Sequence, residues 1–382
     1  MSDILTLNAG SSSIKFGLYR AAAEPELLQL GQVENIGPLA RMVMNGAEGK
    51  HEVEIGPADH RRAVRAILDA IDPLLDGRPV SGVGHRIVHG GKTFGAPTEL
   101  TPQVMEQLDA LVPLAPLHQP HNLAAVRAAQ DAFPQAVQIA CFDTAFHKGH
   151  PFVNDAFALP RRFYDEGVRR YGFHGLSYDY ITGRLRADHP DLASGRVVIA
   201  HLGNGASMCA VRDGRSMGST MGFSALDGLP MGTRCGQLDP GVLLYLMDQG
   251  YSSAQLTEML YRESGLKGLS GLSHDMRTLL ASDDPHAAEA IDYYVFRIRR
   301  ELGAMAAVLG GLDAVVFTGG VGENAAPIRA RVIEGLGFLG LDIDAAANDA
   351  GRTRISSGPT PVLVIPTDEE RVIARATAAA LG

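Results

Sequence analysis

The sequence predicts an α/β protein made of two related domains. A chain of 382 residues is long for one hydrophobic core and suggests about two domains. Stretches with strand periodicity alternate with stretches of helical periodicity along most of the chain. A strand, a turn rich in Asn, Gly and Ser, and a second strand occur at Asn8–Ser12 and again at Asn204–Ser207. Each half of the chain therefore repeats one hairpin plan.

The composition favours a soluble protein with small-molecule partners. Hydrophobic residues make up 46% of the chain and charged residues 20%, as in ordinary globular domains. The net charge of −9 and the lack of a long basic run in the sequence argue against a nucleic-acid partner. The chain enters a strand at once, without a signal-peptide pattern or a run of about 18 apolar residues. We therefore expect a cytoplasmic protein with no membrane partner.

The three cysteines predict neither a disulfide framework nor a zinc site. Cys141, Cys209 and Cys235 are far apart and show no Cys-x-x-Cys spacing, which both kinds of site would favour. Each is expected to be a small buried side chain.

The first hairpin has the chemistry of a phosphate-binding turn. Alternating apolar residues predict strands on both sides of Asn8–Ser13. Backbone amides around Gly10, serine hydroxyls such as Ser12, and the charge of Lys15 could hold a phosphate, and the amide oxygen of Asn8 could bind a hydrated Mg²⁺. An ordinary hairpin with a polar tip has the same residue types, and no Walker-type motif is present. Both interpretations stay open at this point.

Further strands and a helix complete the predicted first sheet. Strands are expected at Glu26–Ile36 and His51–Ile55, divided by Pro38 and Asn45–Gly46. Helical spacing predicts a helix over Ala58–Leu75.

Two charged residues follow apolar strands in this half of the chain. Arg86 lies at the end of a predicted buried strand, where a guanidinium needs an anion. After helices predicted at Pro102–Leu111 and Asn122–Phe133, another buried strand ends at Asp143. Open α/β sheets keep their reactive groups at the carboxyl ends of strands. The alternative for Asp143 is a helix N-cap.

The second half begins after a segment expected to cross between domains, His147–Pro160. Glycines flank His174, which indicates a loop held close to other groups, although a lone histidine is more often structural than catalytic. The strand from Arg196 then enters the second Asn-Gly-Ser turn. Two related phosphate turns on two similar domains are typical of an ATPase that closes around a nucleotide.

Arg234 lies between Gly232 and Gly236 and suits charge stabilisation during phosphoryl transfer. Three helices follow, and their Leu, Met, Tyr and Ile positions are expected to face the core. They are predicted at Pro240–Gln249, Ser253–Ser264 and Pro285–Leu309.

The C-terminal part contains a strand, a glycine loop at Gly319–Asn324 and a helix from about Ala325. This order suits nucleotide binding but is a weak signal alone. A last strand, Pro361–Ile365, leads into the acidic run Asp368–Glu370 and a final helix. The acidic residues could stabilise the helix N-terminus or bind a metal.

In chain order, these motifs resemble those of the acetate kinases over essentially the entire sequence. The matching segments are Asn8–Lys15, the Arg86 cluster, Phe142–His147, Arg170–Gly175, His201–Gly205, Met231–Arg234, Gly320–Asn324 and Pro366–Glu370. The resemblance implies the superfamily of acetate and sugar kinases, heat-shock ATPases and actin. It predicts an α/β fold of two duplicated actin-like (ribonuclease H-like) lobes with a nucleotide cleft between them.

The resemblance also predicts where the lobes lie. The N-terminal lobe would span residues 1–147, and the C-terminal helix 368–382 would return to it. The C-terminal lobe, 148–367, would carry the nucleotide site and the interface of a homodimer.

The implied reaction is reversible transfer of the ATP γ-phosphoryl group to acetate, which gives acetyl phosphate and ADP. It requires Mg²⁺, with Mn²⁺ as an alternative. By the resemblance, the catalytic residues are Arg86, Asp143, His174 and Arg234, and substrate is bound by Arg86, Val88, Leu117, His118 and Phe173. ATP or ADP would contact Ser12, Lys15, His201, Leu202, Gly203, Asn204, Gly205, Asp275, Met276, Arg277, Gly320, Val321, Gly322, Glu323 and Asn324. The metal positions are Asn8 and Glu369.

The resemblance gives each catalytic residue a role. Arg86 would pair with the substrate carboxylate, Arg234 would neutralise the transferring phosphoryl group, and His174 would donate a hydrogen bond to that group. Asp143 would orient its neighbours rather than abstract a proton, because acetate is already ionised at neutral pH.

Four departures from the family pattern affect these expectations. Gln119 replaces a usual Asn beside His118, Asp368 also stands where Asn is common, and Met217–Thr220 replaces an Asp-Thr-Ser run. Ala225 replaces a proline of the acyl pocket. A methylene in an apolar pocket is worth only about 1–3 kcal/mol, so we expect acetate as the best substrate with measurable propionate activity.

Three alternatives stay open. A kinase for propionate or another short-chain acid would differ only in pocket volume. A non-catalytic actin-like nucleotide-binding protein would not need Arg86, His174 and Arg234 together. A phosphoryl donor other than ATP is the third.

Overall fold

The computed structural model describes residues 2–10, 12–46 and 49–382. In chain order, the strands are β1 Asp3–Ala9, β2 Ile14–Arg20, β3 Glu26–Glu34, β4 Gly37–Gly46, β5 Gly49–Ala58, β6 Val80–Ile87, β7 Thr98–Glu99, β8 Val137–Phe142, β9 Arg196–Leu202, β10 Ala206–Arg212, β11 Arg215–Ser219, β12 Ala314–Thr318 and β13 Val362–Val364. The serine turn of the first hairpin includes Ser11, which lies outside the described residues.

The helices cover both halves of the chain. They are α1 His60–Leu75, α2 Pro102–Asp109, α3 Gln119–Ala132, α4 Phe152–Asp155, α5 Arg161–Glu166, α6 Gly175–Asp188, α7 Pro190–Ala193, α8 Pro240–Asp248, α9 Ser253–Glu258, α10 Gly265–Ser270, α11 Met276–Leu280, α12 Pro285–Leu309, α13 Gly319–Asn324, α14 Ala326–Ile333, α15 Ala345–Asp349 and α16 Glu369–Ala380. Within the described part of the chain, no helix has the length and apolar character needed to cross a membrane.

The chain divides into two compact units. The first unit extends to Phe146 and also includes Asp368–Gly382, and the second unit is His147–Thr367. The C-terminal helix α16 thus belongs to the first unit. It packs on β1 and β6, where Gly84 of β6 leaves room for Thr377 and Ile373 of the helix.

Both units have a sheet of the same basic plan. In the first, the strand order is β5-β4-β3-β2-β1-β6-β8-β7, and in the second it is β11-β10-β9-β12-β13. Each sheet has an antiparallel hairpin, β1–β2 or β9–β10, and each places two parallel strands beside the first strand of that hairpin. The duplicated α/β architecture predicted from the sequence is confirmed.

The strand β4 corrects the prediction that Pro38 and Asn45–Gly46 divide two strands. Residues Gly37–Gly46 form a strand that pairs with both β3 and β5. Its pairing with β5 is irregular between Gly37 and Ala40. Pro38 lies in this irregular part, where a residue without an N–H is tolerated.

Two helices also differ from the prediction. The helix expected over Ser253–Ser264 is α-helical only to Glu258 and continues as one π-helical turn, Met259–Glu263. The glycine loop expected at Gly319–Asn324 is itself the short helix α13.

The prediction that α8 faces the core is wrong. None of its residues is buried, and Leu244 and Tyr245 are 64% and 61% exposed. Periodicity indicates an apolar face but cannot tell whether this chain or another molecule covers that face.

Candidate active site

In the first unit, three predicted site residues converge at the carboxyl ends of adjacent strands. The Arg86 guanidinium donates from Nε to Asp143 Oδ1 at 3.1 Å and from its terminal nitrogen to Asp143 Oδ2 at 2.5 Å. A further nitrogen of Arg86 donates to Asn8 Oδ1 at 3.1 Å. Strands β1, β6 and β8 are parallel neighbours, so residues near their ends meet at one edge of the sheet.

Burial and neighbouring charges shift the pKa values of the ionisable groups in this cluster. Asp143 is buried, and burial raises the pKa of its carboxyl to about 6, although Arg86 opposes the shift. Burial works against the charge of Arg86, but the Asp143 and Glu369 carboxylates outweigh it and raise the pKa of the guanidinium. Burial, reinforced by Glu369, also raises the pKa of Glu370, while Lys15 opposes that shift.

The same cluster has the donor set that Mg²⁺ prefers. The Asn8 amide nitrogen lies 3.5 Å from Glu369 Oε2 and 3.4 Å from Glu370 Oε1, so one amide and two carboxylates share one small region. Across the described residues, no three His, Cys, Asp or Glu side chains form a ready metal-binding group. Mg²⁺ typically binds one or two carboxylates and completes its coordination shell with water and phosphate oxygens. The residues of this cluster fit that coordination preference.

Polar side chains that the sequence analysis did not identify hold the loops of this cluster. The Asn122 amide accepts from the Val88 N–H at 2.9 Å and donates to the Ala9 carbonyl at 2.5 Å. His60 hydrogen-bonds the Gly10 carbonyl through Nε2 at 2.7 Å. These contacts fix the backbone that directly follows Asn8 and the residue that follows β6. A polar residue early in a predicted helix was their only sequence signal.

Gln119 also has a structural function here. It is fully buried, and its amide both accepts from the His89 N–H at 3.2 Å and donates to the His89 carbonyl at 3.1 Å. Gln119, which replaces the usual Asn beside His118, thus holds the loop after Val88 through these hydrogen bonds. Val88 is buried, whereas Leu117 and His118 are half-buried just before α3. Ser12 and Lys15 are exposed.

In the second unit, His174 is held in an unusual backbone conformation. Its φ of 58° is left-handed, and it immediately precedes α6. Such a conformation in a non-glycine residue costs about 1–3 kcal/mol and persists only when its surroundings enforce it. The His174 ring stacks on His201, with ring centroids 4.3 Å apart. His201 in turn contacts the Ser177 hydroxyl through Nδ1 at 2.8 Å.

His174 and Arg234 border the same piece of backbone. A Cβ placed on Gly205 would lie 3.2 Å from His174 Nε2 and 3.7 Å from a terminal nitrogen of Arg234. The Arg234 guanidinium also donates to the Ala225 carbonyl at 3.2 Å. A glycine at position 205 therefore lets a hydrogen-bond donor and a cation approach the same turn, as stabilisation of a phosphoryl group requires.

A pocket of about 520 Å³ lies in the second unit. Three segments that the sequence analysis assigned to the nucleotide contribute to it, and Leu266, buried Met276 and Leu280 supply apolar surface. This combination of apolar walls with a few polar groups is typical of small-molecule sites. The lining residues are Gly203, Asn204, Leu266, His274, Asp275, Met276, Arg277, Leu280, Gly320, Val321, Asn324, Ala325 and Pro327.

Two charged residues hold α13 at the edge of this pocket. The Glu323 carboxylate accepts from the N–H groups of Gly319 at 2.8 Å and Thr367 at 3.1 Å. Fully buried Arg329 donates to the Gly322 and Glu323 carbonyls at 2.9 Å each. An anion at the N-terminus and a cation at the C-terminus both complement the helix dipole.

Some predicted nucleotide residues therefore have other contacts in this structure. The Glu323 carboxylate faces its own helix, and the Leu202 side chain is fully buried. Their contacts with a nucleotide, and those of His201, Gly205 and Gly322, stay predictions. Phe173, predicted for the acyl pocket, is buried beside His174.

Comparison with known proteins identifies the family. Residues 3–375 match the model of the acetokinase family. The chain belongs to the acetokinase family. A relative from Methylocella silvestris named acetate kinase is 56% identical and aligns over 99% of this chain and 98% of its own length. Another acetate kinase, from Rhodopseudomonas palustris, is 53% identical over 98% of each chain.

Solved structures agree with this assignment. The acetate kinase of Porphyromonas gingivalis is 37% identical and has a TM-score of 0.90, and the alignment covers 100% of both chains. A propionate kinase from Francisella tularensis is 36% identical, with a TM-score of 0.93 over 99% of this chain and all of its own. The family predicted from the sequence motifs is thus confirmed.

Proposed function

We propose that this protein catalyses reversible transfer of the ATP γ-phosphoryl group to acetate, forming acetyl phosphate and ADP. The observation that carries the proposal is the acetokinase match across residues 3–375. The pocket of the second unit supports ATP as the donor, because three segments that the resemblance assigns to the nucleotide line it.

The proposed residue roles follow from the contacts within each unit. Arg86, fixed by Asp143, would bind the carboxylate of acetate, with Val88, Leu117, His118 and Phe173 as the other substrate residues. His174 and Arg234 would stabilise the charge of the transferring phosphoryl group. Phosphoryl transfer leaves the protein little covalent work, so positioning and electrostatic stabilisation dominate.

The proposed metal is Mg²⁺, with Mn²⁺ as an alternative. Asn8 and Glu369 would hold it, and Glu370 lies beside them. When bound, the metal neutralises phosphate charge. Ser12 and Lys15, which follow Asn8 in the first hairpin, are proposed to contact the phosphate groups of the nucleotide.

An assay of ADP release tests donor, acceptor and metal together. Acetate, propionate and butyrate are compared with ATP, in the presence of Mg²⁺, Mn²⁺ or EDTA. We expect the highest kcat/KM with acetate and loss of turnover in EDTA. A higher kcat/KM for propionate would instead assign the protein to the propionate kinases. This second candidate is favoured by Ala225 and by the similarity to the Francisella tularensis enzyme.

Variants of the second unit test the phosphoryl-stabilising roles. Arg234→Ala and His174→Ala should each lower kcat about 10²- to 10³-fold, because removing one preorganised donor costs about 2.7–4 kcal/mol of the barrier. Arg161→Ala, which removes an exposed arginine of α5, is the control and should retain kcat. Circular dichroism checks that all three variants fold, and near-normal turnover in either site variant would remove its assigned role.

The proposed assembly is a homodimer in the cytoplasm. Its support is the apolar exposed surface of α8, where Met247 is also 56% exposed. A monomeric protein rarely presents such a patch to water.

A further inference from the structure

A hydroxyl pair lies directly behind the imidazole of His174. Ser207 Oγ is 2.8 Å from His174 Nδ1, and the Tyr178 hydroxyl is 2.5 Å from the same Ser207 oxygen. Ser207 and Tyr178 are fully buried. From the sequence, Tyr178 had no predicted role, and Ser207 was named only as the last residue of the second Asn-Gly-Ser turn.

We propose that Tyr178 and Ser207 are positioning residues that form a hydroxyl relay and keep the His174 proton on Nε2. In this relay the Tyr178 O–H donates to Ser207 Oγ, and the Ser207 O–H donates to His174 Nδ1. A serine hydroxyl has one proton, so accepting from tyrosine leaves that proton for the imidazole. Nδ1 is then an acceptor, and Nε2 carries the hydrogen.

The direction of the relay agrees with its surroundings. Burial raises the pKa of Tyr178 well above its usual value, so its hydroxyl stays protonated and able to donate. Both relay partners are neutral, unlike the carboxylate that stabilises an imidazolium in many catalytic histidines.

The backbone fixes the same geometry. His174 and Tyr178 are joined across the first turn of α6, where the Tyr178 N–H donates to the His174 carbonyl at 3.1 Å. Ser207 comes from β10, directly after the turn that contains Gly205. One end of the imidazole is therefore held by the relay, and Nε2 points to the turn that Arg234 also borders.

The consequence is a neutral donor whose hydrogen already points at the reacting group. A fixed tautomer needs no reorganisation when charge develops, which is the source of preorganised stabilisation. This consequence rests on the proposed function, because it takes His174 as a donor to the phosphoryl group. The tautomer itself does not depend on that role.

Nitrogen NMR of the full-length protein labelled with ¹⁵N-histidine tests the relay without substrate. A His174→Asn variant assigns the His174 signals by their absence. In the wild-type protein we expect protonated Nε2 and an unprotonated, hydrogen-bonded Nδ1. Tyr178→Phe and Ser207→Ala should shift the Nδ1 signal towards that of an imidazole exchanging between tautomers, and Ser207→Thr should restore it.

Kinetics of the same variants provide the second measurement. We expect kcat to fall about 10- to 100-fold in Tyr178→Phe and Ser207→Ala, as when a partner behind a functional imidazole is lost, while KM for acetate and ATP is retained. Tyr171→Phe is the matched control, because it removes another buried hydroxyl, which donates to the Gly167 carbonyl at 2.7 Å. It should change neither the His174 signals nor kcat.

Different results contradict the relay and the proposed function. A wild-type His174 protonated on Nδ1, or unchanged Nδ1 signals in both relay variants, overturns the relay. A shifted tautomer with unchanged kcat supports the relay and instead removes His174 from the transfer step. If Ser207→Ala fails to fold, Tyr178→Phe alone decides, because it removes the donor of the relay and leaves the Ser207 hydroxyl in place.

Discussion

At the scale of single residues, the Arg86–Asp143 pair combines a proposed binding function with a large electrostatic cost. In its proposed role the guanidinium binds a substrate anion, yet it also neutralises a buried carboxylate through two hydrogen bonds. A buried ion pair adds little net stability, but loss of one partner leaves an uncompensated buried charge. Substitutions at these positions therefore affect both turnover and folding.

A double-mutant cycle separates these effects. Arg86→Gln and Asp143→Asn should each destabilise the metal-free protein by about 3–5 kcal/mol, and the double variant should lose less than the sum. Urea denaturation of the four proteins measures the coupling. Additive losses would show that the two side chains contribute independently to stability.

His85 makes the stability depend on pH. Burial lowers the pKa of His85 to about 4, and the ring hydrogen-bonds Gln138 Oε1 through Nε2 at 2.8 Å. An unfolded histidine titrates near 6.5, so between these values the unfolded chain binds more protons than the folded one. The unfolding free energy should therefore decrease as the pH falls from about 6.5 to 4, by up to about 1.4 kcal/mol per pH unit from this residue.

Urea denaturation at several pH values checks this expectation. His85→Gln should flatten the dependence below pH 6.5. His51→Gln, at an exposed position of β5, should leave it as in the wild type. An unchanged slope in His85→Gln would assign the acid sensitivity to other groups.

At the scale of secondary-structure elements, close packing between α16 and β6 holds the C-terminal segment in the first unit. A Cβ on Gly84 would approach the Thr377 hydroxyl and lie 2.5 Å from Ile373 Cγ2. Because α16 begins at Glu369, the position of this helix also sets the position of a proposed metal ligand. The Asp368 carboxylate caps the helix by accepting from the Arg371 N–H at 3.0 Å.

Gly84→Ala should therefore weaken both folding and metal binding. We expect a loss of about 1–3 kcal/mol in unfolding free energy from overpacking, and a higher Mg²⁺ requirement in the ADP-release assay. Gly303→Ala in α12 is the matched control, because a Cβ there meets no atom within 4 Å and alanine favours helices. Equal stability of the two variants would argue against tight helix–strand packing at Gly84.

At the scale of the whole molecule, each unit of the duplicated sheet plan contains its own set of predicted site residues. The first unit contains Arg86, Asp143, Asn8 and Glu369, and the second contains His174, Arg234 and the pocket. In the first unit Asn8, Arg86 and Asp143 lie at the ends of β1, β6 and β8. In the second unit Gly203 and Gly320 of the pocket follow β9 and β12, which occupy the corresponding places in the sheet. The duplication therefore provides two similar frameworks whose loops have acquired different chemistry.

Self-association is the prediction that belongs to this scale. Leu244→Glu or Tyr245→Glu should convert the proposed dimer to a monomer, because a carboxylate on an apolar interface is costly to desolvate. Leu39→Glu, at a 76% exposed position of β4, is the control and should leave the mass unchanged. Light scattering coupled to size-exclusion chromatography measures the mass. A wild-type monomer would contradict the assembly proposed here.

The sequence by itself determined the family, the α/β class, the two hairpins and most strands and helices. Periodicity, turn chemistry and ordered motifs depend on residues near one another in the chain, so they can be read before folding. Three of the predicted nucleotide segments lie around one pocket. The sequence did not predict which residues contact each other across the fold.

Only the tertiary structure decided those pairings. Arg86 meets Asp143 because β6 and β8 are neighbours in the sheet, and Ser207 meets His174 because β10 lies beside the start of α6. For the same reason, the burial of α8 was predicted wrongly and the strand β4 was not predicted. Burial, partner choice and pKa depend on groups brought together from distant parts of the chain, and local sequence carries no direct record of them.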